Sequence, residues 1–78
     1  MKDKINVFIT ILTKKKKIEF YLYNVTYIIY IQEEKYVIRQ INSNIEYLYD
    51  DLKLLFNSYK IYGQSLAQCF KNIFIIIK

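Results

Sequence analysis

Four kinds of side chain in this sequence could do chemistry: the carboxylate pairs Glu33-Glu34 and Asp50-Asp51, the single thiol Cys69, the run Lys14-Lys15-Lys16-Lys17, and closely spaced tyrosines such as Tyr21, Tyr23 and Tyr30. Paired acids act as acid and base when burial drives their pKa values apart. Adjacent side chains on a turn face water instead, and Asp50-Asp51 precedes a helix-like run, where a carboxylate caps backbone N–H groups and suits the helix dipole. The thiol lies in Leu66-Ala67-Gln68-Cys69-Phe70, apolar surroundings without a thiolate-stabilising neighbour, so it reads as inert and buried. A lone cysteine forms no internal disulfide and no thiolate zinc cluster, and it fits a reducing compartment.

What is missing narrows the chemistry further. The 78 residues include no His, no Pro, no Trp and one Gly. Without His there is no Ser-His or Cys-His nucleophile and no imidazole ligand for a metal. With Gly63 alone, no glycine-rich phosphate cradle can be built, because such loops need several positions free of a Cβ. No catalytic, cofactor-binding or metal-binding residue is therefore expected, and the chain reads as a non-enzyme that uses no cofactor.

The net charge of +5 is local. Residues 1–17 carry six Lys and one Asp, whereas residues 18–78 carry six Lys or Arg and six acids. Lys14 to Lys17 form the centre of the imbalance and are a candidate contact for a polyanion or an anionic lipid surface, although a solvated loop is the simpler reading. Four lysines give a salt slope of only about 3.6, and lysine binds phosphate as a point charge without reading bases. No stretch reaches the roughly 18 consecutive apolar residues a membrane span requires. The apolar run Ile5 to Leu12 imitates a signal peptide, but it is short, contains Asn6 and Thr10, and leads into lysines rather than a small-residue cleavage site. The expected location is cytoplasmic.

These residues need elements to hold them. A chain of this size makes one small domain, burying roughly 60 to 65% of the surface its unfolded form exposes. Residues 5–12 satisfy two templates: Ile5, Phe8, Ile9 and Leu12 form a helical stripe, while Ile5, Val7, Ile9 and Ile11 alternate as in a strand. From residue 18 the alternation is clearer. Strands are predicted at 18–23, 26–32 and 35–40, with a further short strand at 45–49. Turns at Asn24-Val25 and Glu33-Glu34 would oppose Leu22 to Tyr27, Phe20 to Ile29, Ile18 to Ile31, Ile31 to Tyr36 and Ile29 to Ile38, all on one face. The other face would carry Glu19, Tyr21, Tyr23, Thr26, Ile28, Tyr30, Val37 and Arg39. Tyrosine has an apolar ring and a polar tip, so this face suits either ordinary packing or a contact surface, for which Tyr21, Tyr23, Tyr30 and Arg39 are the candidates.

Toward the end, Asp50 is read as capping a helix over 51–58 that buries Leu52, Leu55, Phe56 and Tyr59. Ser65 and Gln68 then form a capping box for a helix over 65–72 that buries Leu66, Cys69 and Phe70. The last run, Ile73 to Ile77, suits a short terminal strand or a continuation of the helix. As a strand it would pair within its own sheet or, left open, make a homodimer by edge pairing.

In this order the motifs resemble those of a group of small uncharacterised α+β proteins from low-GC bacteria and their prophages. The resemblance rests on Ile18, Phe20, Tyr23-Asn24 and Tyr27 to Ile29 for a hairpin, and on Tyr49 to Leu55, Asn57, Ile61, Gly63 and Ser65-Leu66 for a closing segment. It covers roughly residues 5–72 and departs at Val25, where such sequences carry glycine, and at Gln64, where they carry lysine. A β-branched residue resists the positive φ of a two-residue turn, so a longer first loop is expected. The resemblance implies an α+β fold with a leading helix over 3–13, and a phage or mobile-element accessory that modulates or inhibits a host defence protein. The expected function is a non-enzymatic protein-protein interaction module with a protein partner. A small nucleic-acid-binding protein is the second reading, with Lys14 to Lys17 on the backbone and tyrosines stacking on bases. Peripheral membrane association is the third.

Overall fold

The computed structural model describes residues 3–76. The chain folds as α+β. Helix α1 spans Lys4–Lys15, starting one residue later and ending two residues later than the helix expected over 3–13. The Asp3 side chain accepts from the Ile5 N–H at its start, Lys14 and Lys15 lie in its last turn against the negative end of the dipole, and Lys16 ends it in the left-handed region at φ 65°. The helical alternative for residues 5–12 holds, because Phe8 and Leu12 bury completely on one stripe.

Four strands follow: β1 (Lys17–Leu22), β2 (Val25–Gln32), β3 (Lys35–Gln40) and β4 (Tyr47–Tyr49). Helix α2 is Leu52–Ser58, and the chain then makes a small hairpin of β5 (Lys60–Ile61) and β6 (Gln64–Ser65). Helix α3 (Leu66–Cys69), a 3₁₀ turn (Phe70–Asn72) and strand β7 (Phe74–Ile76) complete it. The large sheet has the order β4-β3-β2-β1-β7 and is antiparallel throughout.

The β2–β3 register is the predicted one, with Ile31 opposite Tyr36 and Ile29 opposite Ile38. The β1–β2 register is not. Leu22 faces Val25, Phe20 faces Tyr27 and Ile18 faces Ile29, a slip of two residues that leaves each paired residue of the two strands on its expected face. The cause is the turn. Tyr23 and Asn24 take the two positive-φ positions, at 50° and 66°, and Val25 enters the strand that its β-branch prefers, so the loop has two residues and is not longer. Glu33-Glu34 and Tyr62-Gly63 make the other two turns of this kind.

Two caps follow the same logic. Asp51, not Asp50, starts α2, its carboxylate accepting from the Leu54 N–H at 2.7 Å, while Asp50 pairs with Lys35 across β3 and β4. Ser65 and Gln68 form the expected reciprocal capping box, at 3.2 and 2.9 Å. The terminal run is a strand that pairs with β1 inside its own sheet. Ile77, the last residue of the predicted strand 73–77, lies outside the described residues. The β5–β6 hairpin has no counterpart in the sequence reading, because two-residue strands are too short to show alternation.

All the helices pack on one face of the sheet. Phe8 joins them, its ring 6.0 Å from Phe20, 5.6 Å from Phe56 and 5.4 Å from Phe70. Around it Leu12, Ile18, Leu22, Ile29, Ile38, Leu55, Leu66 and Ile73 exclude solvent almost completely. Lys4 fastens the two ends of the described chain: its Nζ donates to the carbonyls of Phe70, Lys71 and Ile73 at 3.4, 3.1 and 2.8 Å and sits 5.6 Å from the Phe70 ring.

Candidate functional site

The opposite face of the sheet has no helix over it. Side chains alternate along a strand, so the residues paired across the ladders line up in rows. One row runs Phe74, Tyr21, Thr26; the next Ile76, Glu19, Ile28, Arg39; the third Lys17, Tyr30, Val37, Leu48. Phe74 is 69% exposed, Leu48 59% and Tyr21 39%. Val37 is nevertheless only 1% exposed, so this side of the sheet is not open around it.

Three of the four candidate contact residues stand here. The Tyr21 hydroxyl donates to Asn24 Oδ1 at 2.8 Å, which ties its ring to the first turn. The Tyr30 hydroxyl donates to Glu46, and that hydrogen bond, which only the protonated phenol can give, holds its pKa above the usual value. Arg39 does more than present a charge. Its Nη1 donates to the carbonyls of Gln40, Ile41 and Ser43 at 3.2, 3.1 and 3.2 Å, so it shapes the loop between β3 and β4.

Tyr23 is a correction. It belongs to the turn rather than to the face: its hydroxyl accepts from Asn72 Nδ2 at 3.0 Å, and its ring lies 5.7 Å from Tyr62 in the β5–β6 hairpin. A turn residue has left the alternation, so its parity no longer says which face it joins. Leu48 and Phe74, the two most exposed apolar residues of the face, were not singled out from sequence. The signal was there, in the alternation of Leu48 with Tyr47 and Tyr49 and in the apolar run that contains Phe74.

The lysine run does not form one patch on this face. Lys14 and Lys15 end the helix, Lys16 turns the corner and Lys17 opens β1, and all four are exposed. Only Lys17 lies in the outer rows, opposite Tyr30.

The groups that could support catalysis are used structurally. Glu33 and Glu34 form an exposed turn, Asp50 pairs with Lys35, and Asp51 caps α2. Cys69 is buried, and desolvation raises its pKa, with the Tyr23 hydroxyl countering part of that; its Sγ donates to the Ser65 carbonyl at 3.2 Å. Among the described residues no cluster of acids and thiol could hold a metal ion, and no helix is long and apolar enough to cross a membrane. A groove of about 220 Å³ between α1 and α2 is lined by Ile5, Ile9, Leu52, Lys53 and Phe56. A notch of similar volume, about 220 Å³, lies among Asn24, Val25, Thr26, Gln40, Ile41 and Asn42. The first offers one amine and the second only hydroxyl, amide and backbone groups, so neither brings an acid and a base together.

Comparison with protein-family models, with curated proteins and with solved structures finds no match.

Proposed function

We propose that this chain is a non-enzymatic protein-interaction module that works through the uncovered face of its sheet. One observation carries the reading: a five-stranded sheet is sealed by helices on one side only, and the other side presents Tyr21, Leu48 and Phe74 to solvent. Exposed aromatic and apolar groups on a rigid sheet, bordered by charge, have the composition of a protein contact surface. The resemblance of the hairpin and closing segment extends the proposal to a phage or mobile-element accessory acting on a host protein.

A nucleic-acid role ranks behind it. The face that holds Lys17, Tyr21 and Tyr30 also holds Glu19, and the Tyr30 hydroxyl is engaged by Glu46. Carboxylates at that position repel a phosphate backbone. The test uses tagged chain incubated with nuclease-treated lysate of a low-GC bacterium. Retention of a partner that is lost on combining Leu48→Glu with Phe74→Glu, with circular dichroism unchanged, is the expected result. Retention indifferent to those substitutions, or abolished by nuclease alone, overturns the proposal.

A further inference from the structure

We infer that residues 44–50 form a strap: β4 lifts from β3 while the rest of the sheet stays folded, and so covers or bares the outer edge of β3. Three observations carry this. The first is burial. None of residues 41–51 is buried and only Ser43 and Tyr49 are half-buried, whereas β1, β2 and β3 each send at least two side chains into the core. Ile45 and Leu48 stand 63% and 59% exposed. Apolar burial supplies most of what holds an element in place, so a segment that lacks it opens at a small fraction of the cost of unfolding.

The second observation is what replaces burial. Asp50 reaches Lys35, and Glu46 accepts from the Tyr30 hydroxyl. The first pair joins side chains 48% and 73% exposed, a setting in which an ion pair contributes little. The Tyr47 ring rests 5.3 Å from Tyr59, yet Tyr47 is itself 46% exposed. Strand β4 offers three residues to the six of β3. The third observation is that both ends are pinned. Arg39 holds the carbonyls of Gln40, Ile41 and Ser43 on one side, and Asp51 caps α2 on the other. The stretch between can lift and return to the same register, which a frayed terminus would not do.

The ladder says what lifting uncovers. The Ile41 N–H donates to the Thr26 carbonyl at 2.9 Å, and this sets the alternation along β3. Val37 and Arg39 turn their backbone groups to β2, while Tyr36 and Ile38 turn theirs to β4. Opening therefore frees the N–H and C=O groups of Tyr36 and Ile38 and leaves Val37 and Arg39 paired. An unpaired strand edge is a template for another extended backbone, so the strap governs when β3 presents one. This opening belongs to the free chain and holds whatever the open face of the sheet meets.

Amide hydrogen exchange, followed by NMR on the parent chain at several low urea concentrations, tests it. After correction for intrinsic rates, the amides of Tyr36, Ile38, Tyr47 and Tyr49 should exchange at least about tenfold faster than those of Val37 and Arg39. Their rates should hardly depend on urea, since lifting the strap exposes little surface. A second measurement locks the strap. Lys35 and Asp50 lie opposite each other one step beyond the Tyr36 and Tyr49 pair, at a position without ladder bonds, where Cα atoms stand about 4.5 Å apart and a disulfide fits. With Lys35→Cys and Asp50→Cys in a Cys69→Ala background, oxidation should shrink the contrast between the two sets of β3 amides, and reduction should restore it. Equal exchange at Tyr36, Val37, Ile38 and Arg39, with the urea dependence of global unfolding, overturns the inference. A contrast that oxidation leaves unchanged overturns it too.

Discussion

Tyr59 shows how a single buried phenol makes this fold sensitive to alkali. Desolvation, followed by the neighbouring Tyr27, Tyr47 and Tyr49, raises its pKa from 10.0 to about 12. The folded state therefore holds the proton more tightly than the unfolded chain. Its contribution is complete below pH 10 and is lost as pH rises from 10 toward 12, to an extent on the order of 2 kcal/mol. Urea midpoints measured across that range should fall steeply for the parent and less for Tyr59→Phe. Tyr27 and Tyr49 are also raised, chiefly by burial, so part of the slope should remain. Lys4 makes a different prediction. Lys4→Met keeps the aliphatic stem but removes three charge-assisted bonds to the 70–73 segment, and it should lower stability by about 1–2 kcal/mol in equilibrium unfolding. Neither role was legible in the sequence. A lysine reaching 66 to 69 residues along the chain leaves no local pattern, and a tyrosine on a helix stripe gives no hint of which other phenols surround it.

Local patterns carry much more at the level of the element. The β2–β3 register could be read because Glu33 and Glu34 are the only residues between two alternating runs, which leaves the turn nowhere else to go. Both glutamates are left-handed, at φ 51° and 67°, a region L-residues other than Asn and Asp occupy at a cost. Replacing Glu34 with glycine should therefore raise stability by about 0.5–1 kcal/mol, read as a higher urea midpoint at unchanged slope. The first hairpin misled for the mirror-image reason. Tyr23 looked like a strand residue and Asn24-Val25 like a turn, but the positive-φ requirement excludes valine more strongly than it excludes tyrosine. Capping motifs were legible wherever a polar side chain stood three residues before its backbone partner, as with Ser65 and Gln68. At α2 the two adjacent aspartates gave the same signal, and only the pairing of Asp50 with Lys35 separates their roles.

The molecule as a whole has one core, and Phe8 stands at its junction. It touches β1 through Phe20, α2 through Phe56 and the 3₁₀ turn through Phe70. Phe8→Ala should cost about 3–5 kcal/mol, a large part of what a domain this small possesses, and thermal unfolding should lose its cooperative transition. The candidate face was half legible. Alternation placed Tyr21, Tyr30 and Arg39 on it, but not whether a helix would cover it, since that depends on where α1, α2 and the 3₁₀ turn all lean. The closing of the sheet has a consequence for synthesis. Strand β7 zips onto β1, and Lys4 finds its acceptors only in residues 70–73. While the ribosome still shelters that segment, the emerging polypeptide has an unfinished sheet and an untethered first helix, so it cannot become native until residues 70–76 have come out, and chaperones have that interval in which to engage it.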